Sequence, residues 1–174
     1  MHRLLLLRHA KSTWDDPALS DHARPLNARG RRAAAGMGAA MRGMALRPDL
    51  VLVSSARRTL QTLEALGVLE GSPRVEPMDD LYLAPWRRLL EAAQAVPDEV
   101  GTVLAIAHNP GLHELALELT GPDDRSADAR VLAGAYPTCS LAEFAFEGPW
   151  VSLRPGGARL VRFLTPSNLP EPAA

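Results

Sequence analysis

The sequence predicts an α/β protein: a three-layer α/β/α sandwich whose central sheet is mostly parallel, with helices on both faces. Three observations predict it. Short uninterrupted apolar runs recur at residues 4–7 (LLLL), 49–53 (DLVLV) and 102–107 (TVLAIA), the pattern of strands buried on both faces. Segments of helical composition, bounded by cap and stop residues, alternate with them. The chain has 174 residues, 47% hydrophobic and 22% charged, which suits one core-bearing domain and is too apolar for a disordered chain.

Each element has its own signal. Residues 4–7 form the first strand. Residues 10–27 are polar, interrupted by Pro17 and Pro25, and read as a loop. Asn27 is a favourable N-cap for a helix over 28–45, and Pro48 stops it. Residues 49–53 are the second strand, followed by a helix over 57–66 that Gly67 ends. A short strand near 74–76 precedes a helix over 86–96, with Pro85 at its start and Pro97 at its end. Residues 102–107 are the third buried strand. Asn109-Pro110 opens a helix over about 110–119, with Asn109 as cap and Pro110 in the first helical position. Residues 120–137, rich in Asp, Gly and Pro, read as a long loop. Residues 140–146 and 158–164 alternate like strands around a Gly/Pro turn region. Residues 1–166 are expected to be one domain and 167–174 a frayed, Pro-rich tail.

Composition excludes several function classes. The chain has 18 Arg and one Lys against 20 acidic residues, for a net charge of -1. GC-rich coding explains the Arg excess. Near-neutrality argues against a nucleic-acid binder, which needs a basic surplus. No stretch reaches the roughly 18 apolar residues of a membrane span, and residues 4–7 are too short for a signal-peptide core. The single cysteine, Cys139, cannot close an internal disulfide and points to a reducing compartment. The expectation is a cytoplasmic monomer with no nucleic-acid or membrane partner.

The chemistry gathers at strand ends. His9 follows the first strand and His108 the third. In open α/β sheets ligands bind beyond the carboxyl ends of the strands, so two histidines about a hundred positions apart can share one site. The remaining histidines, His2, His22 and His113, read as ordinary surface or satisfied core residues. Arg8 adjoins His9, and Arg57-Arg58 follow the second strand. Arginine offers a planar fork of donors matched to phosphate oxygens. A helix opening at 109–110 adds its positive dipole end. Together these features favour a phosphoryl group. Metal-ligand spacings such as HxH, HExxH and CxxC do not occur, nor do the glycine-rich phosphate loops GxxxxGK[ST] and GxGxxG, so neither a metal nor a nucleotide cofactor is expected.

These residues resemble a known family. Arg8-His9-Ala10-Lys11-Ser12 is similar to the RH signature of the histidine phosphatase (phosphoglycerate mutase-like) superfamily, most of all its short phosphohistidine-phosphatase, or SixA-type, branch. Leu19-Ser20-Asp21, then Arg24-Pro25-Leu26-Asn27 and Gly30, resemble that branch's stretch before its first helix. Val53-Ser54-Ser55-Ala56-Arg57-Arg58-Thr59-Leu60-Gln61-Thr62 resembles its second-arginine motif, and Ala107-His108-Asn109-Pro110-Gly111-Leu112 its second-histidine motif. Pro137-Thr138, Phe144 and Trp150 resemble its C-terminal strands.

The resemblance implies a metal-independent phosphatase. His9 would be the nucleophile that takes the phosphoryl group, and Arg8, Arg58 and His108 would hold its oxygens. The motif's functional arginine stands four residues after its first serine, which selects Arg58 over Arg57. The substrate would be a phosphorylated protein, phosphohistidine in particular, or a small phosphorylated molecule. A leaving alkoxide also needs a general acid. Relatives in the branch often carry Glu where Leu83 stands, which leaves Asp79, Asp80, Asp16 and Asp21 as candidates. Three rival readings share these motifs: a small-molecule phosphomonoesterase, a phosphoglycerate-type mutase, and a non-catalytic phospho-ligand binding module. The sole lysine, Lys11, two residues past His9, is expected to attract substrate rather than to take part in chemistry.

Overall fold

The four consecutive leucines of the first strand organise the molecule. In the computed structural model, which describes residues 1–170, β1 (His2–Arg8) sends Leu4 and Leu6 to one face of the sheet and Leu5 and Leu7 to the other. All four are buried, each stabilising the fold by roughly 2 kcal/mol. Leu4 and Leu6 pack into a core completed by α3 (Trp86–Gln94), α4 (Gly111–Thr120) and α5 (Ala127–Gly134). Leu5 and Leu7 pack into a second core with Ala34, Met37 and Met41 of α1 (Ala28–Gly43) and with Leu63 of α2 (Arg57–Ala65). Two cores, one on each face, make the expected three layers.

The sheet has six strands in the order β3-β2-β4-β1-β5-β6. Besides β1 these are β2 (Leu50–Ser54), β3 (Arg74–Met78), β4 (Thr102–Ala107), β5 (Leu141–Phe146) and β6 (Arg159–Leu164). β1, β4, β2 and β3 are parallel. β5 runs antiparallel to β1 and to β6. The carboxyl ends of β1, β4 and β2 therefore lie side by side, with Arg8 paired to Ala107 and Val53 to Ile106.

Several expectations hold in detail. Asn27 caps α1 by accepting from the Gly30 amide at 2.8 Å, and residues 102–107 form β4 with the predicted bounds. Others need correction. Residues 120–137 are not one long loop: they contain α5, whose N-cap Ser126 accepts from Ala129 N. Asn109 does not cap α4. Its side-chain amide donates to the Tyr136 carbonyl at 3.0 Å, and α4 begins at Gly111 after Pro110. β5 is buried along its whole length instead of alternating, because α4, α5 and α1 cover both faces at that point. Trp150 lies in a short 3₁₀ turn between β5 and β6, not in a strand. The tail is ordered past Pro166: Thr165 N donates to Asn168 Oδ1, and Leu169 packs on the second core. Residues 171–174 of the expected tail lie outside the described residues.

Candidate active site

Three motifs converge because three parallel strands end together. Arg8 closes β1 and His9 follows it. Ser54 closes β2, and Arg58 enters one turn later on α2. His108 follows β4. The His9 backbone is held on both sides: its N–H donates to Ala107 O, and its carbonyl, like that of Arg8, accepts from Cys139 N. Thr62 of α2 fixes the next residue, accepting from Ala10 N at 2.9 Å. Two glycines permit the close packing. A Cβ on Gly30 would meet the Lys11 carbonyl at 2.1 Å, and one on Gly111 would meet the Ala84 carbonyl at 1.9 Å.

The result is a cleft of about 360 Å³ lined by Arg8, His9, Lys11, Arg58 and His108, all five residues expected from the sequence. Ser12, Trp14, Asp21, Arg24, Leu83, Asn109 and Thr138 line it too. Four cationic side chains (Arg8, Lys11, Arg24, Arg58) against one carboxylate (Asp21) leave it a surplus of three positive charges.

The two histidines lie 5.3 Å apart between ring centroids, and both are held neutral. Burial, reinforced by Arg58, Arg8 and Arg24, pushes His9 down to about 4, against a smaller opposing effect of the Ala10 carbonyl. Burial, then His9 and Arg58, push His108 down to about 3. The hydrogen bonds select the tautomers. His9 Nδ1 lies 2.7 Å from the Ala10 carbonyl and must donate to it, which leaves a lone pair on Nε2. His108 Nε2 lies 2.7 Å from Ser54 Oγ. With that hydroxyl donating to Nε2 and accepting from Ala56 N, the His108 proton sits on Nδ1.

Donors on the lining residues lack acceptors. Arg8 Nε, Arg58 Nε and His108 Nδ1 are buried with no partner among the described residues. Each such group destabilises a fold by about 1–3 kcal/mol. All three belong to residues that line the cleft, where the surplus of positive charge favours a tetrahedral oxyanion. Burial and the neighbouring Arg58 also hold the Arg8 guanidinium below its usual range, a tension that an anion would relieve.

Asp21 organises the arginines. Its carboxylate accepts from Arg24 Nε and Nη2 and from Arg58 Nη2, at 3.0–3.1 Å, and from the Tyr82 hydroxyl. Burial alone would raise its pKa. The bonds from Tyr82, Arg24 and Arg58 outweigh burial and lower it to about 2. Of the four carboxylates considered as general acid, Asp21 is the one that lines the cleft. Asp80 is exposed and paired with Arg88 at 2.8 Å, Asp79 is exposed, and exposed Asp16 accepts from Ala18 N. Leu83 lines the cleft where a Glu was considered. It is half-exposed with a left-handed φ of 50°, a conformation that strains a branched residue by about 1–2 kcal/mol.

Sequence reasoning assigned no role to Ser54, Trp14, Arg24 or Tyr82. Ser54 and Arg24 stand inside motifs already singled out, so their partners were the missing information. Tyr82 reaches Asp21 across 61 positions of chain, a contact with no local signal. His22 also belongs at the margin of the site: it contacts Ser55 Oγ at 3.0 Å and meets the Tyr82 ring edge-on. His2 and His113 bond backbone carbonyls away from the cleft. Arg57 is exposed, whereas Arg58 is 2% exposed and lines the cleft.

Comparison with known proteins decides the family. The profile of the histidine phosphatase superfamily (branch 1) matches residues 4–81. An uncharacterized protein of Mycobacterium tuberculosis is 36% identical over 163 residues, which span 92% of this chain and 99% of the relative. The chain belongs to the histidine phosphatase superfamily. Among solved histidine phosphatases, a protein assigned as the phosphohistidine phosphatase SixA of Nakamurella multipartitia superposes with a TM-score of 0.83. It is 32% identical, with 96% of this chain and 97% of that one covered. The protein histidine phosphatase SixA in complex with tungstate gives a TM-score of 0.77 at 26% identity, covering 97% and 99%. The phosphoglycerate mutase-like fold is thus shown along nearly the whole chain. No helix of the described residues is long and apolar enough to cross a membrane.

Proposed function

We propose that this histidine phosphatase hydrolyses phosphohistidine in a protein, through a phosphoryl group carried on His9. One observation carries the choice of substrate: the cleft offers no protonated carboxyl. Leu83 cannot donate a proton, and Asp21 is ionised by its two arginines and Tyr82. An alkyl phosphomonoester expels an alkoxide and needs that proton. Phosphohistidine, once its second ring nitrogen is protonated, expels neutral imidazole and does not. The likeness to SixA proteins named as phosphohistidine phosphatases supports the same reading.

The chemistry follows from the site. The Nε2 lone pair of His9 attacks phosphorus, a new N–P bond forms, and the substrate's N–P bond breaks with its electron pair leaving on imidazole. Arg8, Arg58 and His108 donate to the three equatorial oxygens, where charge accumulates in the transition state. Water then attacks the phosphohistidine intermediate, releasing inorganic phosphate and restoring neutral His9. Lys11, exposed at the edge of the cleft, attracts the dianion. A reducing, cytoplasmic setting fits the sole thiol, Cys139, which burial pushes up to about 12 and so keeps unreactive.

The test is a matched pair of peptides bearing phosphohistidine or phosphoserine at the same position. The wild type should turn over the first with much the larger kcat/KM and leave acid-labile phosphate on His9. His9→Ala should lose both turnover and label. Leu83→Glu should raise phosphoserine turnover selectively by supplying the acid. Equal turnover of the two peptides by the wild type would sink the reading, as would full activity of His9→Ala.

A further inference from the structure

Trp14 is anomalous. Its side chain is 74% exposed in a protein whose other two tryptophans are buried or partly buried, and it lines the phosphoryl cleft. Exposed indole is ordinarily loose, yet this ring is seated. The Arg24 guanidinium stacks 3.4 Å from its centroid. That guanidinium is itself 7% exposed and immobilised. Nη1 donates to Ser12 Oγ at 2.7 Å and Thr13 O at 3.2 Å, while Nε and Nη2 donate to Asp21 Oδ1. The same Asp21 carboxylate accepts from Arg58 Nη2 at 3.0 Å. The indole is therefore tied through Arg24 and Asp21 to an arginine placed on the phosphoryl group.

A cover for Arg24 would need only one face of the indole. With the guanidinium on that face, most of the remaining ring surface is open to solvent beside an anion site. A platform fixed in advance loses no side-chain freedom when a second ring stacks on it. We propose that Trp14 is a specificity residue, an aromatic platform that receives the planar ring bonded to phosphorus, the imidazole of phosphohistidine. Leu83 is a second exposed apolar side chain lining the same cleft. The proposal rests on the N–P substrate reading above and adds to it a preference for a ring over a linear amine.

The experiment separates ring from phosphoramidate chemistry. Two peptides of one sequence carry phosphohistidine or phospholysine at one position; both present an N–P bond, and only the first presents a ring. The ratio of their kcat/KM values, phosphohistidine over phospholysine, should fall about fivefold in Trp14→Ala, the scale of one lost aromatic contact. Trp14→Phe should keep most of the ratio. A merely structural role for Trp14 would lower both activities by one factor and leave the ratio unchanged; that result overturns the proposal, as does a ratio equally lost in Trp14→Phe. A wild type that cleaves neither peptide fails the phosphatase reading itself, and the platform falls with it.

Discussion

Both ends of β1 carry arginine, and the two ends treat it in opposite ways. At the amino end, Arg3 and Arg162 close on Glu143, a carboxylate with no exposed surface, with Arg162 Nε 2.6 Å from it. Two cations there share one buried carboxylate, across β1, β5 and β6. At the carboxyl end, Arg8 spends one nitrogen on the Tyr136 carbonyl at 3.0 Å and keeps Nε buried and unpartnered. The arginine next to it repels it. The first arrangement holds the sheet together. The second stores an unfavourable field that the proposed phosphoryl group would discharge, the usual way a binding site departs from maximal stability. Residue type alone does not separate the two; the carboxylate each cation has or lacks among the described residues does.

The largest expected effects come from exchanging these roles. Arg8→Ala should lower kcat/KM for a phosphohistidine peptide by about 100–1,000-fold, with a melting temperature unchanged or raised, because a strained cation has been removed. Arg162→Ala should do the reverse. It removes an ion-pair partner from buried Glu143, lowering unfolding stability by about 3 kcal/mol in urea titration, and leaves kcat/KM untouched. If Arg8→Ala instead melts early with normal activity, the contrast between the two ends collapses.

The pH response sharpens the comparison. Since His9 has been pushed from 6.5 to about 4, the nucleophile stays neutral well below pH 6. The acid-side fall in phosphoenzyme formation should set in only as the pH nears 4; a fall that sets in near 6.5 would contradict the geometry. Folding is linked to the same shift. Between 6.5 and about 4 the unfolded chain takes up the His9 proton and the folded chain does not, so stability is lost as pH falls through that window. His108, depressed to about 3, adds to the loss. His9→Asn should flatten that part of the stability profile. The smallest effect belongs to Lys11→Ala, a few-fold rise in KM with kcat held within about twofold. A drop in kcat at constant KM would move Lys11 into the transition state.

How much of this was legible depended on the distance over which each signal acts. Buried parallel strands announce themselves locally, so residues 4–7 and 102–107 were readable, and with them the strand-end placement of His9 and His108. Capping at Asn27 is equally local. α5 was missed because the Asp-, Gly- and Pro-rich flanks of residues 120–137 masked the Ser126 cap, although an unbroken loop of that length is itself improbable in a compact domain. Asn109 carries the composition of a cap, but Tyr136 offers its amide a better partner 27 residues away. The Asp21–Arg24–Arg58–Tyr82 cluster spans 61 positions and exists only once residues 21–24, α2 and the loop around Tyr82 have packed. Choosing Asp21 among four carboxylates, and seeing that it is held ionised, therefore needed coordinates.

The position of β1 in the sheet has a consequence for how the protein is made. The strand leading to His9, the proposed nucleophile, is made before the rest of the sheet, yet its two sheet neighbours are residues 102–107 and 141–146. Both of its edges stay unpaired until residues 102–107 and 141–146 have been translated, and such distant pairings close slowly. Cys139 N, which clamps the Arg8 and His9 carbonyls, arrives only with the second of them. A growing chain thus carries no working phosphatase, and a transcript cut short before that loop yields an inactive fragment with a bare hydrophobic strand, the kind of species that chaperones and proteases recognise.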